Sequence, residues 1–483
     1  MYVSIEKSIQ RNAVLMPDKV AICVDNIELS YGALANRISA TVTNIRDNFD
    51  LSPQSRVILF AEKNVDFVVL YFALHCLDVI VLPIDVNIST ATFVNIRKEV
   101  SPGLIVGNVT LDGVDCRIHR FDEVVMDNCL PCKNKYLSYD YSLDDIADIM
   151  YTSGTTGASK GVMLSHRNLL SSAVNIASFI GNTSNDTEVL ALPICHSFGL
   201  GRLRSVMLQG GTIVFFEGFS NVKGLFKTIH DFNATGFSLV PASWEIIRKM
   251  SGDRISMFSN QLKYVELGSA NLCVSQKLKL LSLLPNTRLC MHYGLTEASR
   301  SLFMEFHAND LTTIGSPVGD VSVKIMDGHG DEVDEGEKGE ICIKGSHVTN
   351  GYWNNLDYTG KSFYHDYFRT GDIGYKSNEL YYLTGRIKDI INVGGKKVSA
   401  IEIENIIKEF DGILECACVG FSDPIMGELV KAFIVTSDDF SNLEELKSYL
   451  SSRMETYKLP SFYEFIDHLP KTANGKIKKY LLK

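Results

Sequence analysis

The sequence predicts an α/β protein: a large N-terminal domain of layered parallel sheets carrying a small β subdomain, followed by a smaller α+β C-terminal domain. Three observations predict it. Apolar strand-like runs alternate with amphipathic helix-like runs over the first part of the chain, the signature of crossover units on parallel sheet. From about Val321 the texture changes to short strands separated by Gly and acidic turns. The last stretch, after "GRIKDIINVGGKKVS", carries strand and helix patterns sufficient for a core of its own. The 483 residues accommodate such a division, because single cores stop growing near ~250–300 residues.

Taken in order, "SRVILFA" reads as a strand, "VDFVVLYFALHCL" as a helix, "DVIVLPI" as a strand, "ATFVNIRKEV" as a helix and "GLIVG" as a strand. The alternation resumes in "TEVLALP", "GTIVFFE", "TGFSLVP" and "LKYVELG", with helical patterns between. The β subdomain follows in "VSVKIMD", "GEICIKG" and "YYLTGRI". In the last part "AIEIENIIKEF" is a helix, and "ECACVGFSD" and "VKAFIVT" are strands. One stretch, "FVVLYFALHCLDVIVLPI", imitates a membrane span. His75, Asp78 and Pro83 interrupt it, so helix, turn and buried strand are expected instead.

Composition excludes several classes. Hydrophobic residues make up 45% and charged residues 22%, which is globular rather than disordered. The net charge of -10 argues against bulk nucleic-acid binding. Eleven cysteines, an odd number, and an opening "MYVSIEKSIQ" without an apolar core segment lead to the expectation of reduced thiols in a cytoplasmic protein. Cys129 and Cys132 form a C-x-x-C, but no second pair lies at zinc spacing, so two ordinary thiols are expected.

The segment "YTSGTTGASKGVMLSH", residues 151–166, follows the strand-like "DIADIM". It gathers hydroxyls, glycines and Lys160 in one loop. Backbone N–H groups and hydroxyls of such a loop wrap phosphate oxygens, and a lysine adds mobile charge. It is not a Walker A loop, because Gly161 rather than Ser or Thr follows Lys160. Other polar motifs accompany it: "YGLTE" after an apolar strand, "YFRTGDIGY" with Asp372 read in a tight Gly turn, "GRIKDIINVGGKKV" between the domains, and "LPKTANGKIKKY" near the end.

Together, and in this order, these motifs resemble the adenylate-forming superfamily that holds acyl-CoA synthetases, peptide-synthetase adenylation domains and luciferases. The resemblance runs over nearly the whole chain. It implies an AMP-forming acid–thiol ligase: a carboxylate attacks the α-phosphate of ATP to give acyl-adenylate and pyrophosphate, then a pantetheine thiol displaces AMP. ATP, Mg²⁺ and CoA are the implied cofactor and co-substrates, with a small carboxylic acid as partner, no nucleic acid and no stable membrane insertion. It divides the chain into a large domain (1–385), a hinge (386–388) and a small mobile domain (389–483).

Carried over by position, the phosphate loop falls on Thr152, Ser153, Gly154, Thr155, Thr156, Gly157 and Lys160. Ala158 and Ser159 stand where relatives usually have a proline before the lysine. Thr296 is implied to donate to the α-phosphate and Glu297 to bind Mg²⁺. Asp372 and Arg386 are implied at the ribose and Tyr293 at the adenine. Gly268 and Ser269 are implied beside the adenine and acyl pocket, where a glycine lets backbone approach a ligand. Lys476 is the implied catalytic lysine bridging carboxylate and phosphate. Lys388 is the implied hinge, and Gly394 and Gly395 leave room for the pantetheine arm.

His196 and Phe198 in "LPICHSFGL" match the acyl-pocket segment. No Asp stands there to pair an α-amine, which disfavours α-amino acids. Arg202 and Arg204, two apart, do not share a helix face. A surface or interdomain ion pair is the expected use of both, and a second acidic group on the substrate is the alternative. Trp244 fits core or pocket wall, and the direction of Arg300 stays open. The thiol acceptor is CoA or an acyl carrier protein, and Lys396 and Lys397 suit either. A non-catalytic nucleotide-binding relative is the alternative from another class.

Overall fold

The computed structural model describes residues 3–25, 27–127, 141–152, 160–437, 440, 442–471 and 477–482. Among the described residues the apolar runs become four sheets. In the first, strands Arg56–Phe60, Ile80–Ile84, Leu104–Val106 and Ile146–Thr152 are parallel, and Lys160–Ser165 and Gly351–Tyr352 add antiparallel. Sheets covered on both faces need apolar residues at successive positions, which is why these strands read as unbroken hydrophobic runs. The membrane-like stretch is the helix Val65–Cys76, buried everywhere except at Asp66, then a turn and the strand Ile80–Ile84. Among the described residues no helix is long and apolar enough to cross a membrane.

The second sheet has nine strands. Val20–Val24, Thr212–Phe215, Thr187–Leu190, Gly236–Leu239, Tyr264–Leu267 and Arg288–Tyr293 run parallel, with antiparallel strands at both edges. The third is the expected β subdomain, built from Ser322–Met326, Gly339–Lys344, Tyr367–Ser377 and Leu380–Arg386 with the short Phe363–Tyr364. One local reading is corrected here. Asp372 does not sit in a tight turn. It lies within the strand Tyr367–Ser377, opposite Arg386. Gly371, at φ +72°, takes up an irregularity in pairing with the strand Gly339–Lys344, and such a bulge re-aims the next side chain without ending the strand.

A short 3₁₀ turn, Ile387–Asp389, leads into the fourth sheet. Its strands Ile390–Val393, Lys396–Ser399, Ile413–Asp423, Gly427–Thr436 and Phe462–Phe465 pack with helices Ala400–Lys408 and Leu443–Ser451 around a separate apolar cluster that includes Ile403, Ile407, Leu446 and Leu450. Ser399 donates from Oγ to the Thr384 carbonyl, tying this unit to the third sheet.

Two ionic networks lie inside the large unit, where unpaired charges are prohibitively costly. Both start from the helix Ser197–Gln209. Arg202 and Arg204 do point different ways, but neither makes a surface or interdomain pair. Arg202, fully buried, binds Glu188 through Nε and NH2, and also reaches Asn182, Tyr264 and Glu266. Arg204 donates to Tyr71 and Asp148 on the opposite side. The carboxylates come from strands of both sheets, so these arginines clamp the layers and are withdrawn from any ligand.

The second network continues through His75, whose ring lies between Asp148 (Nε2, 3.0 Å) and Glu6 (Nδ1, 3.2 Å). Burial alone would lower the imidazole, but hydrogen bonds to Asp148 and Glu6 raise it from 6.5 to about 9. A pKa raised on folding gives stability that is complete below pH 6.5 and is lost as pH rises through 9. Urea denaturation from pH 6 to 9.5 is therefore expected to show wild type losing its advantage over His75→Gln. The difference at low pH is on the order of 3 kcal/mol.

Candidate active site

The strands Ile146–Thr152 and Lys160–Ser165 form a hairpin in which Thr152 pairs with Lys160. The glycine- and threonine-rich run lies in sequence between these two paired positions. Ser153, Gly154, Thr155, Thr156 and Gly157 themselves lie outside the described residues. Lys160 Nζ sits 3.2 Å from the Tyr358 ring centroid and 5.9 Å from that of Tyr352. Tyr352 in turn donates from its hydroxyl to Glu297 Oε1 at 2.7 Å. The backbone carbonyl of Glu297 accepts from Thr349 N–H, which pins the loop that carries it. Lys160 and Glu297, far apart in sequence, thus flank one phenol. Burial, with the Glu297 carboxylate beside it, pushes that phenol upward, so it stays a donor.

Between the two large sheets lies a cavity of about 880 Å³. Thr152 and Thr296 line it together with Ser269, His196 and Phe198. Ser269 adopts φ +72°, a conformation a side chain rarely takes, at the turn that ends the strand Tyr264–Leu267. Gly268 is not in the wall. A Cβ there would lie 2.0 Å from His292 Cε1, so its bare backbone makes room for a side chain of this protein.

His292 is a wall residue that sequence reading passed over, and Arg300 is another whose direction it left open. Glu266, fully buried, holds both: Oε1 is 2.7 Å from His292 Nδ1 and 3.1 Å from Arg300 Nε. Burial alone would raise this carboxyl, but Arg300, His292 and Arg202 outweigh it and hold it well below the usual carboxylate range. Burial lowers the His292 imidazole despite Glu266, so the ring is neutral near pH 7. Arg300 then donates to the carbonyls of Ser197 (2.9 Å) and Phe198 (2.8 Å). It fixes the segment that presents His196 and Phe198 to the cavity. The Phe198 ring packs edge-on to His292 at 4.6 Å. Trp244 is core, with Nε1 donating to Gln276.

A third group is built on Tyr293, the residue before the cavity-lining Gly294. Tyr293 hydroxyl donates to Asp372 Oδ2 and Arg386 Nε to Oδ1, both at 2.7 Å. Asp372 is only 3% exposed. The Asp372 charge, against the cost of burial, raises Arg386 still further. Tyr293 therefore spends its hydroxyl positioning the aspartate, and the three residues form one unit.

From the C-terminal unit Lys471 reaches the cavity wall, with its ammonium held 2.7 Å from Glu415. It belongs to the same motif as Lys476, which lies outside the described residues. Lys388 is exposed in the 3₁₀ turn. Gly394 and Gly395, at φ +57° and +81°, make the exposed turn before Lys396, and they are not in the cavity wall. Lys63 and Asp85 in that wall, and the bridging Tyr352, were not singled out from sequence. A Lys or Asp at the end of a strand carries no local signal of direction.

A cavity between two sheets, lined by Thr152, Ser269 and Thr296 and by a clamped histidine–phenylalanine segment, has room and hydroxyls for a phosphate-bearing molecule beside a second small one. The profile of the AMP-binding enzyme family matches residues 9–353, and that of the AMP-binding enzyme C-terminal domain matches residues 402–476. The chain belongs to the AMP-binding enzyme family, and it is an AMP-forming acid–thiol ligase. It is 29% identical to the 2-succinylbenzoate–CoA ligase of Staphylococcus aureus (strain MSSA476), across 88% of this chain and 90% of that one. The ATP-bound structure of MatB from Rhodopseudomonas palustris superposes with a TM-score of 0.88 at 25% identity, covering 99% of this chain and 98% of that one. The o-succinylbenzoate CoA synthetase (MenE) of Bacillus subtilis with its acyl-adenylate OSB-AMP has the same fold, with a TM-score of 0.85 at 23% identity over 99% and 97% of the two chains.

Proposed function

We propose that the cavity is where a small carboxylic acid and ATP meet, and that the acyl-adenylate formed there is passed to the thiol of CoA. The observation that carries this reading is the convergence of Thr152, Thr296, Ser269, His196 and Phe198 on one cavity, with Lys471 entering from the C-terminal unit.

In this mechanism the phosphate end is the Thr152–Lys160 hairpin. Its threonines and backbone cradle the leaving pyrophosphate, and Lys160 offsets its charge. Thr296 donates to the α-phosphate under attack. Among the described residues the Tyr352 hydroxyl is the side-chain donor on Glu297, at Oε1, so Oε2 remains for a hard cation. Mg²⁺ held there supplies charge neutralisation to the phosphates. Asp372, oriented by Tyr293 and Arg386, accepts from the ribose hydroxyls. At the other end His196 and Phe198, fixed by Arg300, flank the acid. Holding both reactants in one cavity removes much of the entropic part of the barrier. Lys476 bridges carboxylate and α-phosphate, and the small domain then turns about residues 386–388 to bring Gly394 and Gly395 to the thiol's path.

Lys388→Pro, which restricts φ at the hinge, is expected to slow CoA transfer more than adenylation. Single-turnover measurement of each half-reaction checks this, and equal loss in both contradicts it. Nine free cysteines among the described residues fit a place in the cytoplasm. The function itself is tested by a panel of acids headed by 2-succinylbenzoate, with dicarboxylates, aromatic, short and medium-chain acids and amino acids, scored for pyrophosphate release with ATP and Mg²⁺. Free CoA and a phosphopantetheinylated carrier protein are then compared as acceptors. Acid-dependent release followed by acyl-CoA formation supports the reading; release with transfer only to the carrier protein replaces CoA as acceptor.

A further inference from the structure

The cavity wall contains a donor set of which only His196 has a part in the proposed acid pocket. Asp85 follows the strand Ile80–Ile84, and its Oδ1 accepts from Asn87 N–H at 2.9 Å, which fixes its direction. Cys195 and His196 belong to the other layer, immediately before the helix Ser197–Gln209. A carboxylate oxygen, the thiol sulfur and an imidazole nitrogen of these three residues lie within 4.8 Å of one another. All three residues line the cavity.

We propose that Asp85, Cys195 and His196 form a zinc site that closes the acid end of the cavity and inhibits the enzyme. Two ligands on one zinc, at about 2.0–2.3 Å each, are no more than about 4.6 Å apart, so small side-chain rotations complete the site. Thiolate, imidazole and carboxylate together form a borderline-soft set, which selects Zn²⁺ over the Mg²⁺ that accompanies ATP. Three protein ligands leave the fourth tetrahedral position facing the cavity. Glu62 and Glu217 also line the wall and make it cation-attracting. Lys63 opposes them, but its ammonium is held by the carbonyls of Ala191 and Phe216, at 2.7 Å each. Burial, with Asp85 next, pushes the Cys195 thiol up to about 12, so the metal-free thiol is protonated and releases one proton to solvent when zinc binds.

The inhibitory consequence rests on His196 belonging to the acid pocket; the metal site itself does not. The test uses the full chain with Cys129→Ser and Cys132→Ser, which removes the C-x-x-C of the sequence. Titration with Co²⁺ is expected to give a thiolate-to-cobalt charge-transfer band that saturates at one ion per chain. Cys195→Ser abolishes the band, and Asp85→Asn weakens binding by about tenfold or more. With excess Mg²⁺, Zn²⁺ is expected to raise the acid KM by about tenfold while leaving kcat unchanged, and Cys195→Ser removes this sensitivity. Absence of the band, or its survival in a folded Cys195→Ser chain, overturns the site. A Cys195-dependent band with no effect of Zn²⁺ on the acid KM overturns the inhibition. If no acid is activated even without zinc, the proposed function fails, while the cobalt result still decides the site.

Discussion

Lys476→Ala is expected to lower acyl-adenylate formation by roughly 10²–10³-fold and to leave CoA transfer from preformed acyl-adenylate within a few fold of wild type. The asymmetry follows from where charge develops. In the first half-reaction a carboxylate approaches an α-phosphate, and both partners are anions. A cation placed between them lowers the barrier to that approach and lowers nothing in the later attack of a thiol. Lys471 and Ile477, which flank the segment, form a backbone bridge, and Lys471 lines the cavity. The described residues on either side of Lys476 in sequence are thus tied to each other, and one of them reaches the cavity. Rapid-quench measurement of each half-reaction checks the prediction. Equal loss in both would reassign Lys476 to a structural role.

Arg300→Ala is expected to cost about 3–5 kcal/mol of stability and to raise the acid KM in whatever protein folds. The side chain is buried, and its removal leaves the buried Glu266 carboxylate only His292 and Arg202 as partners and takes the donor from the carbonyls of Ser197 and Phe198. Leaving a buried charge without its partner costs far more than the pair itself contributes. Arg300→Lys keeps the charge but offers no planar fork, so it recovers part of the stability and little of the pocket geometry. Denaturant unfolding monitored with acid KM separates the two effects. Unchanged KM in a destabilised variant would make Arg300 purely structural.

Much of the fold is legible in the sequence because strands covered on both faces must be apolar at successive positions. "VILF" and "IVLPI" read as strands on that ground alone, and the helix Val65–Cys76 is recognisable once Pro83 and Asp78 exclude a longer span. The phosphate hairpin is half legible. Its composition is what leads to the expectation of a phosphate loop, but nothing local says that "KGVMLS" returns antiparallel as the strand Lys160–Ser165. Arg202 and Arg204 mislead for a different reason. A charged residue in a helical pattern is ordinarily solvated, and only carboxylates brought from other strands, Glu188, Asp148 and Glu266, make burial affordable. Tyr293 shows the same limit. Its hydroxyl is committed to Asp372, a partner that sequence spacing does not disclose.

The measurement that bears most directly on the account follows oxygen. A carboxylic acid that the enzyme accepts, labelled with ¹⁸O in both carboxylate oxygens, is incubated with ATP, Mg²⁺ and CoA, and the AMP is analysed by mass spectrometry. Attack of the carboxylate on the α-phosphate leaves one labelled oxygen in AMP after the thiol displaces it, and this transfer is the predicted result. Unlabelled AMP formed in step with acyl-CoA, or nucleoside diphosphate in place of AMP, contradicts adenylate formation as the central step.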